Sequence, residues 1–112
     1  MPSFAFHGAS HRSYSYMLLP WSKLQLIPRR AGNYILASGT ALHPAPIWIS
    51  ETRRLYSFFE VNSGIWDVTQ DKHGASLFYV HIEPSQVARL AEREDLVSAY
   101  LPPMDDRVLP AH

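Results

Sequence analysis

The chain has 112 residues, enough for one domain with a single hydrophobic core, since 46% of the residues are hydrophobic. It contains no cysteine, which excludes disulfides, zinc–thiolate sites and a thiol nucleophile. Ten basic and ten acidic residues balance, so the chain lacks the overall positive charge that draws most non-specific DNA-binding proteins to phosphate.

The sequence carries no signal for a membrane. Its first residues, Met-Pro-Ser-Phe-Ala-Phe-His, have no basic stretch followed by an apolar run, and nowhere do 18 consecutive apolar residues occur. We therefore expect a soluble, cytoplasmic protein with no membrane partner.

The first predicted elements form a β-hairpin over residues 1–20. Aromatic and polar residues alternate over 3–6 and 13–18, on either side of Gly8-Ala9-Ser10. Pro20 ends the hairpin, and a loop that contains Trp21, Pro28 and an arginine pair follows.

Two buried strands are predicted next. The run from Asn33 to Ala37 is typical of a buried strand, and a turn with two prolines, Gly39 to Pro46, leads to a short strand at Ile47-Trp48-Ile49. We expect these strands to be antiparallel neighbours.

Helices and one more strand follow. A helix is predicted to begin near Glu51, capped by Ser50 or Thr52, with Leu55, Phe58 and Phe59 on its apolar face. The run from Trp66 to His73 predicts a second helix, ended by Gly74, and Leu77 to Ile82 predicts the third core strand.

The last helix is predicted to begin after Ser85 and to run to about Tyr100, where Pro102-Pro103 stops it. At 100° per residue, one apolar face collects Val87, Leu90, Ala91, Val97 and Leu101, with Glu94 among them and Arg93 at the border. A carboxylate among apolar residues is paired, protonated or functional, because an unpaired buried charge costs several kcal/mol.

The order of these motifs resembles the GIY-YIG nuclease superfamily. The resemblance rests on Gly32-Asn33-Tyr34, on Trp48-Ile49-Ser50-Glu51-Thr52 and on a Leu-Val-x-x-Tyr-x-Pro-Pro run that ends at Pro103. It implies an α+β fold with a three-stranded antiparallel sheet and flanking helices over residues 30–105, extended by the N-terminal hairpin and followed by a loose tail, 106–112. The family hydrolyses phosphodiesters with two tyrosines, an arginine, a metal-binding glutamate and often an asparagine.

Most of these functional positions are changed in this chain. The resemblance carries the first tyrosine to Tyr34, whereas the other four positions fall on Trp48, Phe58, Arg93 and Asp105. Tryptophan has no ionisable hydroxyl, phenylalanine has no charge and arginine repels a divalent cation. Within the family pattern, Arg54 and Glu94 are the candidate substitutes. No intact catalytic set, no metal site and no cofactor are expected.

Candidate binding residues come from local clusters. Arg29-Arg30 and Arg53-Arg54 form two basic pairs, able to grip a nucleic-acid backbone if the fold brings them together, with solvated surface arginines as the alternative. Tyr56 and Trp66 are candidate aromatic anchors if they are exposed. His7 and His11 stand four residues apart across Gly8, a spacing that suits a metal pair only on a helix.

Three functions are consistent with these residues. The first is a catalytically degenerate GIY-YIG-like module that contacts nucleic acid weakly without cutting it. The second is a protein-interaction module, such as a phage or mobile-element inhibitor. The third is an active metal-dependent endonuclease rebuilt around Tyr34, Arg54 and Glu94.

Overall fold

The computed structural model describes residues 2–20, 26–57 and 63–104. The expectations for Trp21, Phe58, Phe59, Asp105 and the tail 106–112 lie outside these residues. The elements, in chain order, are β1 (Ser3–His7), β2 (Ser13–Leu19), β3 (Gly32–Gly39), β4 (Pro44–Thr52), α1 (Ser63–His73), β5 (Leu77–Ile82) and α2 (Gln86–Tyr100).

The strands form one antiparallel sheet of five strands, in the order β1-β2-β5-β3-β4. The predicted neighbours β3 and β4 are confirmed, and β5 pairs with the other side of β3. The predicted three-stranded sheet, extended by an N-terminal hairpin, is corrected to one sheet of five strands, because Met17 in β2 pairs with Val80 in β5. The hairpin thus supplies hydrogen bonds to an edge of β5 that would otherwise be open.

Side-chain alternation gives the sheet two apolar faces. We call the first the α1 face, because its buried residues pack with Trp66 of α1; its sheet residues include Tyr34, Leu36, Trp48, Phe78 and Val80. We call the second the α2 face, because it packs with Leu96 and Val97 of α2; its sheet residues include Phe6, Tyr16, Ile35, Ile49 and Tyr79. Each face therefore has its own helix and core cluster.

The predicted helix near Glu51 is wrong at its start. Glu51 and Thr52 belong to β4, where they pair with Asn33 and Gly32 of β3. Pairing with the whole of β3 extends the strand past the point where a capping residue appears in the sequence, so tertiary hydrogen bonds override the local helix signal.

The helix α2 has the predicted ends. The Ser85 hydroxyl accepts a hydrogen bond from the Ala88 N–H, as an N-cap does. At the other end, Leu101 adopts a left-handed conformation (φ 46°) and its N–H bonds to the Val97 carbonyl.

The predicted buried face of α2 is wrong, apart from Val97. The buried residues are Arg89, Glu92, Leu96 and Val97. In contrast, Val87 is 80% exposed, Leu90 40% and Leu101 76%. The orientation of the helix follows from its contacts with polar side chains on the α2 face of the sheet. Arg89 binds Glu51, and Glu92 binds Tyr16.

Candidate functional site

Tyr34 and Trp48 lie side by side on the α1 face. The Trp48 indole Nε1–H donates to the Tyr34 hydroxyl at 3.1 Å. Each side chain is only 3% exposed and belongs to the core cluster. Tyr34 and Trp48 are therefore in contact and are packed as core residues, with the indole filling space beside the phenol.

Gly32, the first residue of the motif, is explained by packing. A Cβ atom at this position would collide with the His81 carbonyl oxygen and lie 2.8 Å from Leu55 Cδ1. Gly32 also pairs with Ile82 in β5 and with Thr52 in β4. A glycine here lets β5 and the segment after β4 approach β3 closely.

Arg93 and Glu94, which the sequence resemblance associates with metal binding, are neighbours on α2. Arg93 is half-buried on α2, and a guanidinium does not ligate a divalent cation. Glu94 is exposed, which corrects its predicted place in the apolar stripe. Among residues 2–20, 26–57 and 63–104, no three histidine, aspartate or glutamate side chains are grouped to hold a metal ion.

The four candidate arginines lie at one end of the sheet. The segment that contains Arg29 and Arg30 enters β3, and the segment that contains Arg53 and Arg54 leaves β4. These segments are joined, because the Leu55 N–H donates to the Arg30 carbonyl at 2.8 Å. All four arginines are exposed, and we call them the arginine cluster. Arg54 lies before the turn at residues 55–56 rather than on a helix, which corrects the predicted helical position.

The two candidate aromatic anchors differ. Tyr56 is half-buried, and the Arg29 guanidinium carbon lies 4.3 Å from the centre of its ring, in a cation–π contact. Trp66 is 4% exposed and packs in the core of the α1 face. Trp66 as a surface anchor was therefore a wrong prediction, because a small domain uses most of its large aromatic side chains to fill its core.

Tyr16, His81 and Glu92 form a buried polar cluster on the α2 face that the sequence did not predict. The Glu92 carboxylate is 4% exposed, accepts a hydrogen bond from the Tyr16 hydroxyl, and lies 3.0 Å from His81 Nδ1. The hydrogen bond between His81 and Glu92 raises the pKa of His81 above 6.5. Burial is the main cause that raises the pKa of Tyr16 well above 10, and the charge of Glu92 is the second. Alternation along the strand predicts that His81 faces away from Val80 and Ile82, but it does not predict that the partner of His81 lies on α2.

Two further contacts fix α2 on the sheet. Arg89 Nε donates to Glu51 Oε2 at 2.8 Å, and the Asn33 amide donates to the Arg89 carbonyl at 2.9 Å. Near the hairpin, Asp95 accepts hydrogen bonds from Ser10, and these hold the pKa of Asp95 below its usual value. The polar face of α2 is thus a structural contact with β1–β5.

Two further observations concern the predicted histidine pair and membrane-spanning helices. His7 and His11 are exposed and separated by a turn, so they do not form the helical pair that a metal motif requires. Within the described parts of the chain, no helix is long and apolar enough to cross a membrane.

Comparison of structures finds the GIY-YIG N-terminal endonuclease domain of UvrC from Thermotoga maritima. Its magnesium-bound form is 18% identical with a TM-score of 0.56, covering 73% of this chain and 90% of that domain. A tyrosine variant of the same domain, bound to its catalytic divalent cation, is 20% identical with a TM-score of 0.56, covering 73% and 89%. No protein-family model and no curated protein matches the sequence. At this identity the likeness establishes the fold and leaves the chemistry to the chain's own residues. The chain therefore has a GIY-YIG-like α+β fold.

Proposed function

We propose that this protein is a nucleic-acid-binding module with a GIY-YIG-like fold that does not cleave its ligand. The observation that carries the proposal is the arginine cluster, in which two sequence-distant pairs, Arg29-Arg30 and Arg53-Arg54, meet at one end of the sheet. Guanidinium groups bind phosphate in a bidentate manner, and four exposed arginines at one end of the sheet suit a phosphodiester backbone.

The balanced charge of the whole chain sets the expected strength of binding. With ten basic and ten acidic residues, only the local field of the cluster attracts phosphate. We therefore expect an affinity for random duplex DNA in the micromolar range or weaker, as for non-specific binders at about 10⁻⁴–10⁻⁶ M. Binding should weaken as salt rises, because each phosphate contact releases counterions.

The absence of cleavage is proposed from the family positions. Tyr34 is enclosed and accepts a hydrogen bond from Trp48, which has no hydroxyl to relay a proton. The sequence resemblance assigns the position of the metal-binding glutamate to Arg93, which carries the opposite charge. Binding requires only phosphate contacts, whereas cleavage also requires the metal and a route for the proton.

The test compares matched charge removals. Arg30→Ala and Arg54→Ala each remove one positive charge from the cluster, and Lys72→Ala removes one from the exposed end of α1. Lys72 is near the opposite end of β3, since Ser76 bonds to the Ala37 carbonyl shortly after α1 ends. Fluorescence anisotropy with labelled duplex DNA, measured over a salt series, gives the affinity and the number of phosphates contacted.

We expect each arginine substitution to weaken binding and to reduce the salt slope by about one unit, and Lys72→Ala to leave both unchanged. Equal effects of Arg30→Ala and Lys72→Ala would place the nucleic-acid surface elsewhere. Tight binding that barely responds to salt would contradict the electrostatic basis of the proposal.

A protein-interaction role is the second candidate, and the outer face of α2 favours it. Val87 and Leu90 are exposed on that helix, at 80% and 40%, and Leu101, directly after its end, is 76% exposed. Exposed apolar side chains grouped on one helix face are typical of a docking surface. If wild-type protein shows no binding to duplex, single-stranded or structured nucleic acid, this second candidate becomes the better one.

A further inference from the structure

A shallow cleft opens on the sheet near the arginine cluster. Its volume is about 260 Å³, and among the described residues its lining includes Ser3, Ser15, Met17, Val80, His81 and Ile82. By strand register, Ser3 pairs with Met17 and Met17 with Val80, so these side chains share one face of the sheet. Val80 also pairs with Tyr34, which places the cleft on the α1 face.

The cleft and the arginine cluster are close neighbours. Ile82 in the cleft pairs with Gly32, and the Glu83 N–H donates to the Ala31 carbonyl at 3.0 Å, one residue from Arg30. Tyr56, which carries the Arg29 contact, packs against the same core cluster as Ile82. The Glu83 carboxylate accepts from the Ser85 N–H, so this nearby negative charge is engaged at the start of α2.

The lining has the chemistry of a site for a flat heteroaromatic ring. Met17 and Ile82 are half-buried and offer apolar surface to the ring face above the buried Val80, and the exposed Ser3 and Ser15 bring hydroxyl donors and acceptors to its edge. A volume of about 260 Å³ is just below the usual range of about 300–1,000 Å³ for drug-sized pockets, which suits one ring system with its sugar.

The neighbouring positive charge identifies the ligand class. A heteroaromatic base joined through a sugar to phosphate is a nucleotide, and the arginine cluster adjoins the Ile82 end of the cleft. In a duplex the base is paired and stacked, so its faces and edge are covered, whereas an unpaired base exposes both.

We propose that this cleft binds an unpaired nucleobase of single-stranded nucleic acid, whose phosphates contact the arginine cluster. The proposal rests on the proposed function and adds the strand type and the site of the base. Deoxyribose and ribose strands share this chemistry, and the two are separate arms of the test.

The experiment separates base contacts from phosphate contacts. Labelled single-stranded DNA, RNA of the same sequence, duplex DNA and an abasic strand of equal length are titrated by anisotropy. Ser15→Trp fills the cleft from β2, and Ser3→Trp fills it from β1. Ser98→Trp, at an exposed position of α2, is the matched control. Thermal melting shows which variants are folded.

We expect wild-type protein to bind at least one of the base-containing single strands about fivefold or more tightly than the abasic strand and the duplex. Ser15→Trp and Ser3→Trp should abolish this preference, whereas Ser98→Trp should keep it. A wild-type protein that does not distinguish the base-containing strands from the abasic strand overturns the inference, as does an unchanged preference in both folded cleft variants. In these cases, weakening of all ligands by Arg30→Ala still supports the proposed function. If Arg30→Ala and Arg54→Ala weaken no ligand, the proposed function itself fails.

Discussion

Glu92 is the residue whose removal tests the structure most directly. Its carboxylate is 4% exposed, accepts a hydrogen bond from the fully buried Tyr16 hydroxyl and contacts His81. Glu92→Ala removes this acceptor and leaves the Tyr16 hydroxyl buried without it. A lost hydrogen bond to a charged group costs about 1.5–3 kcal/mol, and breaking a buried charged pair costs about 3–5 kcal/mol. Because His81 is 30% exposed and can be rehydrated, we expect a loss near the low end, about 3 kcal/mol.

The assay is urea unfolding near neutral pH, followed by tryptophan fluorescence and circular dichroism. With an m-value of about 2 kcal/mol per molar urea, a loss of about 3 kcal/mol lowers the midpoint by about 1.5 M. The control is Glu94→Ala, two residues along the same helix and exposed. It should change the free energy of unfolding by no more than about 0.5 kcal/mol.

A double-mutant cycle assigns the loss to the hydrogen bond. If Tyr16 and Glu92 interact as the structure shows, Tyr16→Phe and Glu92→Ala should be non-additive by about 0.5–3 kcal/mol. Equal midpoints for Glu92→Ala and Glu94→Ala would refute the reasoning, because they would mean that the contacts of Glu92 stabilise the fold no more than the exposed Glu94 does.

Three further expectations concern other residues. Glu92 raises the pKa of His81 above 6.5, so the stability from this pair is complete below pH 6.5 and is lost as pH rises through the raised pKa. The urea midpoint of the wild-type protein should therefore fall over this pH range, whereas the midpoint of His81→Gln should not. Parallel pH curves for the wild type and His81→Gln would contradict this expectation. Gly32→Ala should destabilise the fold by about 1–3 kcal/mol, because the new Cβ would collide with the His81 backbone carbonyl. Gly64→Ala is the control, since no atom lies within 4 Å of a Cβ at that position. Equal unfolding midpoints for the two variants would argue against close packing at Gly32. Supercoiled plasmid should stay intact with magnesium or manganese, and metal-dependent nicking that Tyr34→Phe abolishes would refute the proposed loss of cleavage.

The sequence alone determined most of the secondary structure. The bounds of β5, the Ser85 cap and the two arms of the hairpin agree with their local patterns. Alternation and capping act over a few residues, so they can be predicted without knowledge of the fold. The order Gly32, Tyr34 and the strand at Trp48 also predicted the antiparallel pairing and the GIY-YIG-like fold, which the structure comparison supports.

The tertiary structure alone decided which face of α2 is buried. Periodicity favoured Val87, Leu90 and Leu101, whereas the fold buries Arg89 and Glu92. Glu51 on β4 is 38 residues from Arg89, and Tyr16 on β2 is 76 residues from Glu92. The third partner, His81, lies on the preceding strand, β5.

The meeting of the two arginine pairs was also decided by tertiary contacts. Arg30 and Leu55 are joined only because β3 and β4 pair along their whole length and bring the segment before one strand to the segment after the other. The periodicity of a helix sequence reflects only how apolar each side chain is. A buried ion pair or a hydrogen bond between segments requires a partner that the fold brings into contact. This difference explains why the elements were predictable and the site geometry was not.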